Sequence, residues 1–536
     1  MPGKTGEDEK MEDTTRRSNL LVIGSGLAGL SAAVAAAEQG LTVTVLSKSE
    51  NLTESNTLYA QGGIVETGIG DSPDLLIRDI IDAGSGLNNS RSVRILAESG
   101  PELVADYLVR KAEVPFERGE EGEFDRTREG AHTVRRILHV NDQTGRAIQE
   151  QMLGYARSCP GITLLSGHIA VDIITNTHHS TDYQQRYKRH RALGAYVLNQ
   201  QTGEIRPFYA ESTVIATGGI GNLYLHTSNP ESATGDGIAM AYRAGCSIIN
   251  AEYVQFHPTV LFHRDVKRFL ITEALRGEGA RLLNTKGEYF MERYHPRLRD
   301  LAPRDEVARA IYREMDGSTG YVYLDARDIT HVNIADRFPG IYEQCKALDI
   351  DIVNQPIPVV PAAHYFCGGI KVDEHSKTEI DGLYVVGESS CTGVHGANRL
   401  ASVSLLEALV FGIRAGHHAA IQQKPLRDNL IASIPDWVYP KQPIDFDPLL
   451  IQHDMFTLQS TMWNYVGIVR SKRRLDRALA DLNYFTHRIE KFYQEARAGE
   501  SILALRNAVL VGTLITKAAA GNHRSLGCHY RTDSMH

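Results

Sequence analysis

Cysteine is scarce in this chain and never clustered: Cys159, Cys246, Cys345, Cys367, Cys391 and Cys528 are all there is in 536 residues. No CxxC and no Cys/His grouping has the spacing of a structural zinc or an iron–sulfur cluster, so no metal site is expected. Six separate thiols fit a reducing compartment. Positive charge is in deficit: 57 Lys and Arg against 65 Asp and Glu give a net charge of -8. That argues against a general nucleic-acid binder and leaves room for a local basic pocket. No apolar run reaches the roughly 18 residues needed to span a bilayer. The opening MPGKTGEDEKMEDTTRRSN is polar and acidic, without the apolar core of a secretory signal. Residues 1–17 read as a disordered tail, and the chain is expected in the cytoplasm.

What is present fills more than one ordinary core, so two or three domains are expected. The apolar run Leu20-Leu21-Val22-Ile23 reads as a buried parallel strand. Gly24, Gly26 and Gly29 follow, then an alanine-rich helix from Ala28 to Gln39, stopped by Gly40. Leu41 to Leu46 reads as a second strand. Helical periodicity covers 75–113. Short apolar stretches over 163–215 read as a strand meander, with residues 176–191 as an exposed, solvated hairpin loop rather than a histidine metal site. Val214 to Gly219 is a strand entering a glycine turn. Residues 251–365 shift to an Arg- and Tyr-rich composition, which marks an inserted domain. Strand pattern returns from Gly368 to Gly387. Ala401 to His418 reads as a helix, 425–448 as a Pro-rich linker, and 452–520 as helical.

Gly24-Ser25-Gly26-Leu27-Ala28-Gly29 fits G-x-G-x-x-G, a weak signal strengthened by its strand–turn–helix–strand setting. Such a turn brings backbone N–H groups and a helix N-terminus against a pyrophosphate. One element departs from the pattern. The acid expected at the end of the second strand, where it would hold a ribose, is replaced by Ser47-Lys48-Ser49-Glu50.

Further segments carry a resemblance. They are Ser55 to Gly63 (SNTLYAQGG), Gly235-Asp236-Gly237, Phe256-His257-Pro258-Thr259, Thr272 to Gly279 (TEALRGEG), Ala302-Pro303-Arg304-Asp305, Gly387-Glu388 and His395 to Leu400 (HGANRL). Together and in this order they resemble the succinate dehydrogenase and fumarate reductase flavoprotein superfamily. Thr127 to His132 (TREGAH), Pro361 to Tyr365 (PAAHY), the tyrosine at 59 and Trp463 to Arg470 (WNYVGIVR) look like its aspartate oxidase branch.

The resemblance implies an α/β fold: a Rossmann-like FAD-binding domain in two segments (18–250 and 366–435), an inserted α+β capping domain (251–365) and a C-terminal helical domain (436–536). It implies FAD held by Gly24, Ser25, Gly26, Leu27, Ala28, Gly29, Lys48, Asn56, Thr57, Tyr59, Ala60, Gln61, Gly62, Gly63, Asp236, Glu388, Ser404 and Leu405. Asn56 stands where the respiratory members have a flavin-bonding histidine, so the cofactor is expected to be non-covalent. A dicarboxylate needs cations, and Arg399 is the expected carboxylate clamp. His257 and His364 are expected to donate to carboxylate oxygens, with Thr272 and Glu273 lining the pocket. Arg304 matches the family's proton-transfer arginine, with Asp305 as its orienting partner. Glu129 answers a substrate ammonium, or else pairs with Arg126, Arg128 or Arg135.

The implied reaction is FAD-dependent oxidation of L-aspartate to iminoaspartate. Electrons pass to oxygen or fumarate, and the imine goes to a quinolinate-forming enzyme in NAD biosynthesis. The residues leave open whether hydride leaves Cα directly or after desaturation. Alternatives are a soluble fumarate reductase and a flavoprotein that no longer turns over. Two departures from the family motivate the latter: Val403, replacing a polar residue near the flavin, and Leu526, replacing an arginine and placing the docking of the C-terminal tail in doubt.

Overall fold

Strand β1 (Arg17–Ile23) sits in the middle of a seven-stranded sheet. This is a computed structural model, and it describes residues 16–315, 320–445 and 447–534. The expected tail therefore lies outside the described residues up to 15, while Arg17 is already paired with Tyr209 in the sheet. The four residues Leu20 to Ile23 are buried on both faces, as expected of a parallel strand covered by helices. Helix α1 (Leu27–Ala37) follows, buried nearly throughout. Its alanines allow close contact with the sheet and with a late helix across it. Strand β2 (Val43–Leu46) returns parallel to β1, and β3 (Ile162–Leu165) lies parallel on its far side.

The meander expected over 163–215 consists of β4 (His168–Thr175), β5 (Ala192–Asn199) and β6 (Glu204–Ile215), successive antiparallel neighbours. The long strand β6 also runs parallel to β1. The 176–191 insert is more ordered than a plain loop: Asn176–His179 makes a helical turn and Tyr183–Tyr187 another, with Tyr183 and Tyr187 exposed. Helix α2 (Asp236–Ala244) follows the glycine turn after β6.

A separate hydrophobic cluster, running from Leu261 to Val359, surrounds a four-stranded antiparallel sheet. Its strands are β7 (Val254–Leu261), β8 (Arg281–Leu283), β9 (Val322–Asp325) and β10 (Ile357–Phe366), in the order β7-β10-β9-β8. Helix α3 (Glu273–Gly277) is capped by Thr272, and α4 (Arg304–Met315) packs on β7. The chain then returns to the large sheet: β11 (Leu383–Val385) pairs parallel with β6, and α5 (Val403–Ile421) packs against α1.

The linker expected at 425–448 is not free of the core. Leu426 and Ile434 are buried in a cluster with the meander strands. Three helices follow, α6 (Pro448–Val466), α7 (Lys472–Glu495) and α8 (Glu500–Gly521). Helix α8 corrects the expectation that no segment is apolar enough to cross a membrane: by length and composition it is, but 67% of its apolar window is buried inside the molecule. The C-terminal tail is docked despite Leu526. Cys528 N–H donates to the Ala397 carbonyl at 3.0 Å. The buried guanidinium of Arg470 donates to His529 Nδ1 at 2.7 Å and to the Glu252 carbonyl. Leu526 itself packs beside Tyr253, Tyr365, Cys367 and Ala397.

Candidate active site

The turn after β1 fixes one wall of a long cleft. Gly24 has φ 120°, and a Cβ there would lie 2.1 Å from the Ala216 carbonyl oxygen, so no other residue fits. Gly26 begins α1 with no side-chain cap, which leaves the positive end of the helix facing the cleft. Ser25, Leu27 and Ala28 line the same wall, while Gly29 meets the Gly24 carbonyl and lets the helix approach the strand.

At one end of the cleft Lys48 Nζ meets Asp236 Oδ2 at 2.7 Å. The acid missing from the end of β2 is thus supplied by the first residue of α2. Burial pushes the Asp236 carboxyl up, and Lys48 with its hydrogen bonds outweighs that and holds it below the usual range. Asn56, Thr57, Ala60, Gln61, Gly62 and Gly63 extend the lining, Thr57 Oγ1 accepting from Leu27 N–H at 3.2 Å, with Tyr59 half exposed at the rim and donating to Glu54. Ser404 and Leu405 close the floor. Val403 does not face the cleft. It is fully buried in the main core between two residues that line it, so the lost polar group is not subtracted from this wall.

These residues fit FAD. The glycine turn and helix end suit a pyrophosphate. Gln61 Oε1 is buried without any protein partner. Asn56 donates to Glu388 at 2.7 Å and accepts from Asn229 at 3.0 Å, and its amide offers no nucleophile for a covalent flavin bond. Burial outweighs the hydrogen bonds from Phe366 N–H and Asn56 and pushes the Glu388 carboxyl up to about 7.

Beyond Gly62 the cleft changes character. Arg304, Arg399, His257, His364, Thr272, Glu273 and Glu129 converge on it from six different segments. Arg304, the first residue of α4, donates from Nε to Glu273 Oε2 at 2.7 Å. Its expected partner Asp305 instead pairs with Arg309 at 2.9 Å. Adjacent helical residues point about 100° apart, so Asp305 cannot share Arg304's face. Burial pushes Glu273 up, but Arg304 and Arg276 prevail and hold it at about 2.

His257 and His364 meet edge to face, 5.1 Å between centroids. Burial, and the guanidinium charges of Arg304 near His257 and Arg399 near His364, keep both well below the usual imidazole range. Both rings are therefore neutral at pH 7. His257 Nδ1 lies 3.2 Å from both the N–H and the carbonyl oxygen of Thr259. Ser228 Oγ sits 2.7 Å from His364 Nδ1.

Glu129 is buried, and the ion pairs weighed for it are not found among the described residues. Arg126 pairs with Glu66 at 2.8 Å, and Arg135 donates to the Arg126 carbonyl. Glu129 instead accepts from Ser402 Oγ at 2.6 Å, and burial raises its carboxyl. A Cβ at Gly62 would lie 2.5 Å from Glu129 Oε1, so glycine there keeps the carboxylate exposed to the cleft.

Four residues escaped the sequence reading. Gln255 bridges Arg304 and Arg399 through its Oε1 at 3.4 and 3.3 Å. Ser402 holds Glu129. Tyr365 lies under Arg399. Arg276 is wholly buried beside Glu273 at 3.9 Å, and here a signal existed, since Glu273 and Arg276 are spaced i,i+3 on one helical turn. Away from the cleft, Glu117 and Asp125 flank the two ring nitrogens of His139 at 3.6 and 3.4 Å, a grouping of ligand types that spacing alone did not suggest.

Comparison with known proteins gives the family. A family model described as FAD binding domain matches residues 19–405, and one described as fumarate reductase flavoprotein C-term matches 456–536. The class is that of FAD-dependent oxidoreductases. L-aspartate oxidase of Pseudomonas aeruginosa is 44% identical, aligned over 96% of this chain and 95% of its own length. The enzyme named L-aspartate oxidase in Halobacterium salinarum is 42% identical over 98% of both. Among solved structures, E. coli quinol fumarate reductase FrdA superposes with a TM-score of 0.86 at 27% identity, covering 96% of this chain and 91% of that one. The chain belongs to the L-aspartate oxidase family.

Proposed function

We propose that this protein oxidises L-aspartate to iminoaspartate with FAD and passes the electrons to oxygen or fumarate. The observation that carries the reading is Glu129: a buried carboxyl that forms no ion pair among the described residues, in the same cleft as two arginines and two neutral histidines. A substrate with an ammonium group and two carboxylates complements that set. A plain dicarboxylate leaves Glu129 unanswered.

Bound FAD supplies the two-electron acceptor. The chain does the rest. Arg399 binds one carboxylate with its planar fork. His257 and His364, neutral, donate hydrogen bonds to carboxylate oxygens without competing for the proton. Thr272 fixes the start of α3 and with it the position of Glu273. Glu129 orients the ammonium and so selects one face of Cα for reaction. Arg304 is the group that takes the substrate proton, and Glu273 with Arg276 forms the route by which it leaves. Segment 251–365 acts as a cap over the reacting end and excludes water. The reading places the enzyme in the cytoplasm, handing its unstable imine to a quinolinate-forming enzyme in NAD biosynthesis.

The test is anaerobic reduction of the FAD-loaded protein by L-aspartate, D-aspartate and succinate in parallel, read from the flavin's visible absorbance. Bleaching by L-aspartate alone is expected. Bleaching by succinate in preference would move the protein to succinate oxidation.

A further inference from the structure

Helix α5 buries a single acid, Glu407, among Leu405, Leu406, Leu409 and Val410. A carboxylate in such surroundings is costly unless its hydrogen bonds are complete. Glu407 accepts from Thr392 Oγ1, from His395 Nε2 at 2.8 Å and from Tyr365 O–H at 2.9 Å. His395 also lies edge to face against the Tyr365 ring, 4.9 Å between centroids. No arginine or lysine forms an ion pair with Glu407 among the described residues. The acid serves the tyrosine and the histidine.

Tyr365 carries the next link. The Arg399 guanidinium stands over its ring, 4.6 Å from the centroid. Arg399 is almost wholly buried, yet its hydrogen bonds go to neutral atoms, Ser404 Oγ at 2.7 Å and Gln255 Oε1 at 3.3 Å. Arg304 a short way off is paired with a carboxylate, and Arg399 forms no such pair among the described residues. The difference matters for a ligand. An acid partner would occupy the N–H edge that a substrate carboxylate needs, and would have to be displaced. An aromatic face stabilises the cation from above its plane and leaves that edge open. A phenol that donates to a buried carboxylate also gains electron density, which strengthens its attraction for the guanidinium.

We propose that Tyr365, fixed by the buried His395–Glu407 pair, is a positioning residue that keeps Arg399 charged and its N–H edge free for the substrate carboxylate. This rests on the reading of Arg399 as the carboxylate clamp. Tyr365 does not react; it acts through Arg399.

The experiment uses the FAD-loaded full chain. Succinate is titrated against the flavin absorbance for its Kd, and KM and kcat for L-aspartate are measured separately. Tyr365→Leu removes ring and hydroxyl and is expected to raise both Kd and KM by about 10-fold, with FAD content kept and kcat within about 3-fold. Tyr365→Phe keeps the ring and recovers most of the affinity. Glu407→Gln follows Tyr365→Phe. Normal succinate affinity in Tyr365→Leu overturns the proposal, and so does a fall in kcat and FAD content without a KM change. If Tyr365→Leu does not fold, Tyr365→Phe and Glu407→Gln decide: wild-type KM in both overturns it, and a KM raised about 2- to 3-fold in both supports it. Arg399→Leu separates this from the reading beneath it. Normal succinate binding there removes Arg399 as the clamp, whereas lost binding there with normal binding in Tyr365→Leu overturns only the role of Tyr365.

Discussion

Ser402 donates to Glu129 at 2.6 Å from a backbone held at φ 57°, while the same hydroxyl accepts from Gly63 N–H at 3.2 Å. A non-glycine residue in the left-handed region is strained, and here the strain delivers one hydroxyl to both the Gly63 amide and the Glu129 carboxylate. The two halves of the cleft are mechanically joined at this serine.

Replacing Glu129 by glutamine is therefore expected to separate two activities. L-aspartate oxidation falls by about 100-fold, the scale of one lost charge-assisted hydrogen bond in a buried site. Fumarate reduction, which presents no ammonium, stays within a few-fold. Steady-state kinetics in both directions check this, and equal losses would remove Glu129 from substrate selection.

Arg304→Leu is expected to retain FAD, since Arg304 lies at the substrate end rather than in the dinucleotide cradle. Reduction by L-aspartate should fall by at least about 1,000-fold, in line with loss of an essential proton acceptor. Stopped-flow bleaching under anaerobic conditions reads it directly. Turnover near that of the wild type would assign the proton to another group.

Glu273 gives the protein a specific acid sensitivity. Its folded carboxyl is held at about 2 against an ordinary 4.5. The stabilisation is complete above about pH 4.5 and disappears as pH falls toward 2, on the order of 3 kcal/mol across that window. Urea unfolding of the wild type and of Glu273→Gln should show a stability gap at pH 6 that closes by pH 2 to 3. A gap independent of pH would mean that the carboxyl is not depressed.

Asp236→Asn should weaken FAD retention without altering the substrate KM of the fully loaded enzyme. Lys48 then loses its only carboxylate partner among the described residues, at the end of the cleft away from the reacting groups. Fluorescence of released flavin on dilution measures the first effect, and assay with excess FAD measures the second. Unchanged retention would exclude Asp236 from the cofactor wall.

The turn Gly24 to Gly29 was legible because strand, glycines and helix are contiguous and every local preference agrees. The far partners were not. Nothing near residue 48 announces that its acid is residue 236, since the two meet only after the sheet is built. Asp305 looked like the partner of Arg304 because it is next in sequence, yet helical geometry turns it away and brings in Glu273 from another element. Val403 sat between two cleft serines in the sequence, but the helix points it into the core. Tyr365 and Glu407 were hidden for the same reason: one lies on a strand, the other on a helix 42 positions on.

Asn56 and Glu388 bond across 332 positions of chain, and β6 waits for β11 to complete its parallel edge. Closing so long a loop adds little to the thermodynamic cost, because the entropy grows only with the logarithm of length. It does postpone the event, since non-local contacts form slowly. The dinucleotide wall is thus finished late, and a ligand that binds only the finished wall pulls the folding equilibrium by mass action. Flavin supply is therefore expected to set how much of this polypeptide survives proteolysis as well as how fast it turns over, and limited protease digestion with and without FAD checks the first.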